Sequence, residues 1–211
     1  MICGIDEAGR GCVIGPMVIA IAQINPLDEY TLKEMGIRDS KLLTPKKRGA
    51  LYAKIKKMCK IKTIHLSAEQ ITEEMGKYSL NEIEAIVCAK LLKSAKGIDA
   101  VYIDSPDSIP KNFEKRIRKY YKEKARIICE NKADRNHPIV AAASIVAKVQ
   151  RDEEIEKIKK ELGHDFNSGY TSDEKTIDFL KKHIADENLQ KYLRHKWSTL
   201  QRLKQSTLPD Y

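Results

Sequence analysis

The stretch that decides the fold is Cys3 to Pro16, CGIDEAGRGCVIGP, which carries two adjacent acids and a glycine-rich turn. Adjacent carboxylates such as Asp6 and Glu7 repel each other, and burying them is costly unless a cation compensates their charge. The glycines that follow let the backbone approach a ligand closely. Arg10, between two of them, offers a planar and permanently charged donor that suits phosphate. The stretch therefore favours phosphate-ester chemistry assisted by a divalent metal.

The residues on either side of this stretch predict two strands joined by the glycine turn. Residues 2–5 (ICGI) form a short apolar run, and residues 17–24 (MVIAIAQI) are apolar and β-branched. Asp6 and Glu7 are therefore expected directly after the first strand. Further short strands are predicted at residues 62–66, 100–103 and 125–129. The second of these runs straight into Asp104.

Helices are predicted between and after these strands. Thr44 and Pro45 are a good N-cap and first residue for a basic helix, and Ser79 with Glu82 forms a capping box. Pro138 opens a long helix, PIVAAASIVAKVQRDEEIEKIKKEL, whose small residues at 141–144 permit close approach to a sheet or a ligand. The remaining helices are expected at about residues 68–76, 110–124, 173–183 and 186–204.

This order of elements predicts an α/β protein with a mixed sheet covered by helices on both faces. The 211 residues suffice for one large domain with a small appendage. We therefore divide the chain into a catalytic domain at residues 1–165 and a C-terminal helical extension or cap at residues 166–211.

Composition indicates a soluble globular protein without a membrane segment. Hydrophobic residues make up 42% and charged residues 33% of the chain, and no apolar run approaches the roughly 20 residues that span a bilayer. Asp6 and Glu7 stand where a signal peptide would be apolar. The five cysteines are widely spaced without a CxxC pair, which favours free thiols in a reducing, cytoplasmic setting.

The net charge of +9 is concentrated in three stretches at residues 41–62, 111–126 and 191–204. They hold nine, eight and five Lys/Arg against none, two and no acids, so the remainder of the chain is net acidic. Any one stretch is also typical of a solvated helix face. Three together favour a polyanionic partner such as nucleic acid.

Acids follow three of the predicted strands. Asp6 and Glu7 follow the first, Asp104 follows the strand at 100–103, and Asp134 lies in a polar loop after the strand at 125–129. Ligands gather beyond strand ends in such sheets, and oxygen ligands suit magnesium. A single acid at such a position is more often a helix cap or a turn former. Because strand residues alternate in direction, the first strand must end or twist at Asp6 and Glu7 if both bind metal.

Competing motifs fit the sequence less well. Residues 4–10 (GIDEAGR) resemble a P-loop, but two acids inside a phosphate cradle would repel a nucleotide. The glycines at 9, 11 and 15 approach a dinucleotide fingerprint, yet Pro16 leads into a strand where that motif requires a helix. The five histidines are scattered. Cys3 and Cys12 are interpreted as small core residues, and Trp197 as a packing anchor.

The motifs GIDEAGRGCVIGPMV, DSKLLT, YIDS, NKADRNHPIVAAASIVAKVQRD and NSGYTSD, in this order, resemble type 2 ribonuclease H (ribonuclease HII), most closely its archaeal branch. The resemblance spans residues 3 to about 180. It implies a ribonuclease H-like fold with a C-terminal helical region. It also implies an endonuclease that hydrolyses the RNA strand of RNA–DNA hybrids, including single ribonucleotides embedded in duplex DNA. The implied cofactor is Mg²⁺ or Mn²⁺ in two-metal-ion catalysis that leaves 5′-phosphate and 3′-hydroxyl ends.

The resemblance also assigns roles by position. The family's metal-binding acids match Asp6, Glu7, Asp104 and Asp134, which are thus the catalytic and metal residues. The loop that senses the ribose 2′-hydroxyl and the adjacent phosphate matches Gly9, Arg10 and Gly11. The tyrosine that packs on the sugar at the RNA–DNA junction matches Tyr170. Residues near the substrate backbone match Ser40, Lys41 and Lys148.

Two departures from the family's pattern affect loops. Cys12 stands where proline usually follows the GRG triplet, and Thr171 stands where proline often follows the tyrosine. Both changes are expected to loosen a loop and to shift junction preference, without removing a metal ligand.

Rival interpretations are another ribonuclease H-like nuclease acting on DNA, such as a junction resolvase, and a non-catalytic hybrid-binding protein. We expect a monomer. A sliding clamp stays open as a partner, because the tail STLPDY (residues 206–211) is too short to identify as a docking peptide.

Overall fold

The computed structural model describes residues 1–37 and 43–206 and contains a mixed five-stranded sheet flanked by helices, as predicted. The strands lie in the order β3-β2-β1-β4-β5. β1 is antiparallel to β2 and parallel to β4, and β4 is parallel to β5. Their bounds are β1 Ile2–Ala8, β2 Met17–Ile24, β3 Lys60–Leu66, β4 Ala100–Asp104 and β5 Arg126–Glu130.

The helices confirm most of the predicted segments. The long helix spans the predicted residues, and Ser79 and Thr44 accept hydrogen bonds as N-caps. A 3-10 turn, Pro26–Asp28, precedes the first α-helix. The helices are α1 Glu29–Glu34, α2 Pro45–Met58, α3 Ala68–Glu74, α4 Leu80–Ser94, α5 Pro110–Tyr120, α6 Ala133–Asn136, α7 Pro138–Leu162, α8 Glu174–His183, α9 Glu187–Gln190 and α10 Ser198–Ser206.

The single helix predicted over residues 186–204 is wrong. The structure has the short α9 and the separate α10, with a non-helical segment between them. In that segment Leu193 forms an antiparallel bridge with Ile14, and the Arg194 N–H donates to the Val13 carbonyl at 3.0 Å. These backbone groups pair with the glycine-rich stretch, so they are not available to continue a helix.

The chain forms two compact units, each assembled from separate segments. Unit 1 comprises Met1–Ala8, Val18–Ile64 and Ser79–Gln150, and unit 2 comprises Gly9–Met17, His65–Tyr78 and Arg151–Tyr211. The predicted domain boundary at residue 165 stays a prediction. The compact units divide the chain elsewhere, within the glycine-rich stretch and within α7.

In unit 1, the first half of α7 packs on the sheet through small residues. Ala141, Ala142 and Ala143 are fully buried in a core that also contains Ile2, Val18 and Ala20. A Cβ built on Gly4 would lie 2.3 Å from the Ile139 carbonyl oxygen. Backbone therefore meets backbone between β1 and α7, as the small-residue run predicted. On unit 1's other helices, α4 packs against α5, and α5 against β5.

Unit 2 has its own apolar core. Val13 and Ile14 from the glycine-rich stretch are fully buried with Phe166, Leu180 and Leu193. Trp197 packs against this core, which confirms its role as a packing anchor. None of the helices within residues 1–37 and 43–206 combines the length and apolar character that a bilayer crossing requires.

Candidate active site

Asp6 and Glu7 lie inside β1, which corrects the expectation that they follow it. The antiparallel ladder continues through Asp6–Ala20 and Glu7–Ile19 to the Ala8–Val18 pair. Since side chains alternate along a strand, these two acids project to opposite faces of the sheet. Glu7 is linked to Asp6 through its backbone N–H, which donates to Asp6 Oδ1 at 2.7 Å.

Asp6 is a buried acid that faces a second acid. Asp6 is only 5% exposed. Burial and, to a lesser extent, the negative charge of Asp104 raise the pKa of its carboxyl group to about 6. The Ser144 hydroxyl and the Lys148 ammonium of α7 oppose the shift. Lys148 Nζ also donates to Ser144 Oγ at 2.7 Å. α7 thus brings a polar pair, Ser144 and Lys148, to the buried carboxylate of Asp6.

Asp104 lies at the end of β4, and Asp134 lies at the start of α6. Asp104 is the last residue of β4, and its Oδ1 accepts a hydrogen bond from the Ala133 N–H at 2.9 Å. Asp134 was predicted in a polar loop but is the second residue of α6, a single turn that begins after Lys132 in the left-handed conformation. Within the described part of the chain, the buried Oδ1 of Asp134 has no hydrogen-bond partner.

The donor set of unit 1 fits a hard divalent cation in two respects. The buried Oδ1 of Asp134 has no donor in the described part of the chain, and the Asp6–Asp104 pair carries like charges that a cation would stabilise. A closed cluster is not formed, however. Among residues 1–37 and 43–206, no three or more His, Cys, Asp or Glu side chains are grouped as metal ligands. Because side chains alternate along β1, Glu7 lies on the opposite face of the sheet from Asp6 and is separated from the other acids.

The Gly9–Arg10–Gly11 loop and Tyr170 meet in unit 2. The Gly9 N–H donates to the Tyr170 hydroxyl at 3.2 Å, and Cys12 forms an antiparallel bridge with Tyr170. Gly9 has φ +82°, and a Cβ there would lie 2.6 Å from the Pro16 carbonyl oxygen. Gly11 is exposed beside the same ring. The structure therefore brings together the residues assigned to sugar recognition.

Two buried arginines hold this loop, and neither was among the residues predicted from the sequence. Arg151 is 4% exposed, donates to the Ser168 carbonyl and to Cys12 Sγ (2.9 Å), and stacks 4.8 Å from the Tyr170 ring centre. Arg194 donates from Nη1 to the Arg10 carbonyl at 2.9 Å and from Nε to the Gly15 carbonyl at 3.1 Å. Arg194 lies in a basic stretch that was interpreted by its charge alone. The sequence offers one indication that Arg194 is buried, which is its position between the apolar residues Leu193 and Trp197.

The basic stretches are less available to a polyanion than their composition indicated. Arg194 is fully buried, and Arg116 and Lys119 of α5 both pair with Glu82. Exposed lysines of α2, Lys46 and Lys47 among them, keep the first stretch open to a ligand.

Other predicted site residues have different outcomes. Ser40 and Lys41 lie outside the described residues, whereas Lys148 lies on α7 near Asp6. Cys3 and Cys12 are fully buried, and burial raises the pKa of both thiols, which confirms them as core residues. The effect of Cys12 and Thr171 on junction preference stays a prediction.

The sheet order and the acids on β1, β4 and α6 define a ribonuclease H-like α/β protein. A sequence model of the family described as ribonuclease HII matches residues 3–200. The chain belongs to the ribonuclease HII family. It is accordingly a ribonuclease H, a metal-dependent endonuclease that acts on the RNA strand of RNA–DNA hybrids.

Individual relatives agree over the whole chain. A ribonuclease HII from Archaeoglobus fulgidus is 40% identical over 211 residues, covering 100% of both chains. The solved complex of PCNA with ribonuclease HII from the same organism superposes with a TM-score of 0.89 at 40% identity, covering 100% of both chains. A Bst ribonuclease HIII solved with Mn²⁺ shares the fold, with a TM-score of 0.81 at 20% identity over 97% of this chain and 69% of that one.

Proposed function

We propose that this enzyme cleaves the RNA strand of RNA–DNA hybrids and also acts at single ribonucleotides embedded in duplex DNA, leaving 5′-phosphate and 3′-hydroxyl ends. Asp6, Glu7, Asp104 and Asp134 hold two divalent ions, Mg²⁺ or Mn²⁺, at the scissile phosphate. Two observations carry the proposal: the carboxylate of buried Asp6 lies near the like-charged Asp104, and within the described residues the buried Oδ1 of Asp134 has no hydrogen-bond partner.

The acids differ in how the surrounding protein orients their side chains. Asp104 keeps one oxygen on the Ala133 N–H, so its carboxylate is oriented before a cation arrives. Asp6 is oriented by the Glu7 N–H and faces the Ser144–Lys148 pair. Glu7 requires a side-chain rotation or a twist of β1 to join the other acids. Bound divalent ions supply a water-derived nucleophile at neutral pH and stabilise charge on the phosphate and the leaving oxygen.

Sugar recognition is proposed for unit 2. The backbone of Gly9, Arg10 and Gly11 contacts the 2′-hydroxyl and the adjacent phosphate, and Tyr170 packs on the sugar. The 2′-hydroxyl is the group that distinguishes RNA from DNA at a single position. The contacts of Arg151 and Arg194 support this role, because they hold the loop and the tyrosine in one arrangement before substrate binds.

Lys148, Ser40 and Lys41 are proposed to contact the substrate backbone. For Lys148 the support is its amine beside Asp6, where it can also meet a phosphate oxygen. We further propose a monomer that a sliding clamp can recruit, since the A. fulgidus relative was solved in complex with PCNA. Size-exclusion chromatography of the chain with and without a clamp tests both statements.

The decisive experiment is cleavage of a DNA duplex with one embedded ribonucleotide, compared with an RNA–DNA hybrid and an all-DNA duplex. Each substrate is incubated with Mg²⁺, Mn²⁺ or EDTA, and the ends are mapped. We expect cleavage of the first two substrates, 5′-phosphate and 3′-hydroxyl ends, and no product in EDTA. Cleavage of the all-DNA duplex would favour the resolvase alternative, and metal-dependent binding without product would favour a hybrid-binding protein.

A further inference from the structure

The segment that carries Asp104, at the end of β4, and the segment that carries Asp134, after β5, are connected by the side chain of Asn131. Its Nδ2 donates to the Ser105 carbonyl at 3.0 Å and to the Asp107 carbonyl at 2.8 Å. Ser105 directly follows Asp104, and Asn131 precedes Asp134 by three residues. Both hydrogens of a single amide are thus used to connect the segment carrying one acid to the segment carrying the other.

A backbone hydrogen bond completes this connection on the other side. The Ala133 N–H donates to Asp104 Oδ1 at 2.9 Å, and the Ser105 N–H donates to the Glu130 carbonyl at 2.9 Å. The two segments therefore form a closed set of bonds around Asp104. Asn131 is itself exposed and belongs to a turn between β5 and α6, so it contributes little to the apolar core.

The loop that Asn131 grips is anchored from the opposite side by an ion-pair network. Asp107 accepts from Arg116 Nε at 3.1 Å and from Asn81 Nδ2 at 2.7 Å. Arg116 Nη1 in turn binds Glu82 at 2.7 Å, and Glu82 also accepts from Tyr120 at 2.8 Å. The charged groups are partly buried, with Glu82 and Asp107 side chains 10% and 14% exposed. The loop after β4 is consequently fixed to α4 and α5.

We infer that Asn131 is a positioning residue that sets the separation of Asp104 and Asp134 for cation binding, and that the Glu82–Arg116–Asp107 network holds the loop against which it acts. The inference rests on the proposed metal site and assigns it outer partners. Partners of metal ligands orient the ligating oxygens, and their removal typically weakens metal binding by about 10–100-fold. Asn131 is solvent-exposed, so we expect the lower end of that range.

The test compares Asn131→Ala with Asn136→Ala in the full chain. Asn136 is the matched control, since it is also an exposed asparagine near Asp134 and its amide donates to Glu130 at 3.3 Å without joining the two acid-bearing segments. Calorimetric titration with Mn²⁺, without substrate, should show about tenfold weaker binding for Asn131→Ala and less than twofold change for Asn136→Ala. Asp107→Asn should shift affinity in the same direction by a smaller factor, and it serves if Asn131→Ala does not fold.

Cleavage kinetics separate positioning from chemistry. For Asn131→Ala, the Mn²⁺ concentration giving half-maximal rate should rise by the factor measured in calorimetry, and kcat at saturating Mn²⁺ should stay within about twofold of wild type. Unchanged Mn²⁺ affinity, or a loss of kcat that persists at saturating Mn²⁺, would overturn the inference. Wild-type Mn²⁺ binding in Asp134→Asn would instead remove the proposed metal site itself, so the two failures are distinguishable.

Discussion

The acids of unit 1 and the Gly9–Arg10–Gly11 loop with Tyr170 in unit 2, which is proposed to recognise the sugar, differ in how completely protein partners satisfy their polar groups. In unit 1, burial and a like-charged neighbour raise the pKa of Asp6 to about 6, and the buried Oδ1 of Asp134 meets no donor among the residues that the structure describes. In unit 2, the hydroxyl of Tyr170, the carbonyl of Arg10 and the Cys12 sulfur all have partners within the unit. One region is built to gain stability from a ligand, and the other is already ordered.

The largest expected effect is the loss of cleavage when an acid of unit 1 is neutralised. Asp6→Asn or Asp104→Asn should lower kcat on an RNA–DNA hybrid by about a thousandfold or more, since several kcal/mol of charge stabilisation is lost. Hybrid affinity should stay largely unchanged. Asp28→Asn is the control, because the Asp28 side chain is exposed and caps no N–H of α1. Near-wild-type turnover in either acid variant would refute the metal-binding role proposed for that residue.

Unit 2 should respond to substitution through folding rather than through chemistry alone. Arg151→Met removes hydrogen bonds to Cys12 and Ser168 from a buried site, which we expect to destabilise the protein by about 3 kcal/mol. Denaturant unfolding measures this loss. Lys157→Met on the same helix is the matched control, because Lys157 is exposed and its ion pair with Glu154 lies at the surface. Equal effects of both substitutions would contradict the ordered-loop description.

The same substitution, Asp→Asn, should have opposite effects on stability in the two units. The pKa of Asp6 is higher in the folded protein than in the unfolded chain. As the pH rises from about 4 to 6, Asp6 therefore loses its proton in the unfolded chain before it does so in the folded protein, and the free energy of unfolding falls across that window. In EDTA, Asp6→Asn should therefore stabilise the protein by about 2–3 kcal/mol at pH 7, with the gain vanishing near pH 3.5.

Asp173 in unit 2 has the reverse behaviour. Although burial raises its pKa, hydrogen bonds from Ser168 and Asn167 hold the pKa well below its ordinary range. Its contribution is complete above the unfolded pKa and is lost as pH falls. Both oxygens of the Asp173 carboxylate accept hydrogen bonds, Oδ2 from Ser168 and Asn167 and Oδ1 from the Lys175 N–H. An asparagine offers only one acceptor oxygen and no charge, so Asp173→Asn should destabilise the protein by about 1 kcal/mol at neutral pH. Thermal melts of both variants from pH 3 to 7 test the pair, and parallel curves would refute the contrast.

The smallest expected effect concerns binding of the hybrid by exposed cations. Affinity should fall steeply with salt, and removing Lys46 or Lys47 of α2 should reduce the slope of log K against log[salt] by about one each. Arg194→Gln should leave that slope unchanged, because Arg194 is buried on backbone carbonyls. A slope insensitive to the α2 lysines would place the phosphate contacts elsewhere.

Local pattern was sufficient to predict most of the fold. The capped helices, the five strands and the full extent of α7 followed from capping residues, β-branched runs and Pro138. The end of β1 could not be predicted in this way. Its last three residues belong to the strand because they pair with β2, and the side chains of Asp6 and Glu7 do not indicate that pairing. The segment before α10 failed for the same reason, since its partners lie almost 180 residues earlier.

The candidate site was predicted as residue types but not as an arrangement. The resemblance supplied the acids, the glycine loop and Tyr170 by position. It did not indicate that Asp6 and Glu7 project to opposite faces of the sheet. It also gave no role to Arg151, which contacts the Tyr170 ring and the Cys12 sulfur. Such contacts exist only after distant segments come together, so spacing in one sequence does not reveal them.

Gly4 has a consequence for how the site could be altered by evolution or by design. At this position the backbones of β1 and α7 touch, so no side chain lies between them that could change rotamer to absorb an error. The placement of Ser144 and Lys148 beside Asp6 therefore depends on a residue that has no functional group of its own. Any attempt to adapt the proposed metal site to a larger ion would begin with the distance between α7 and β1.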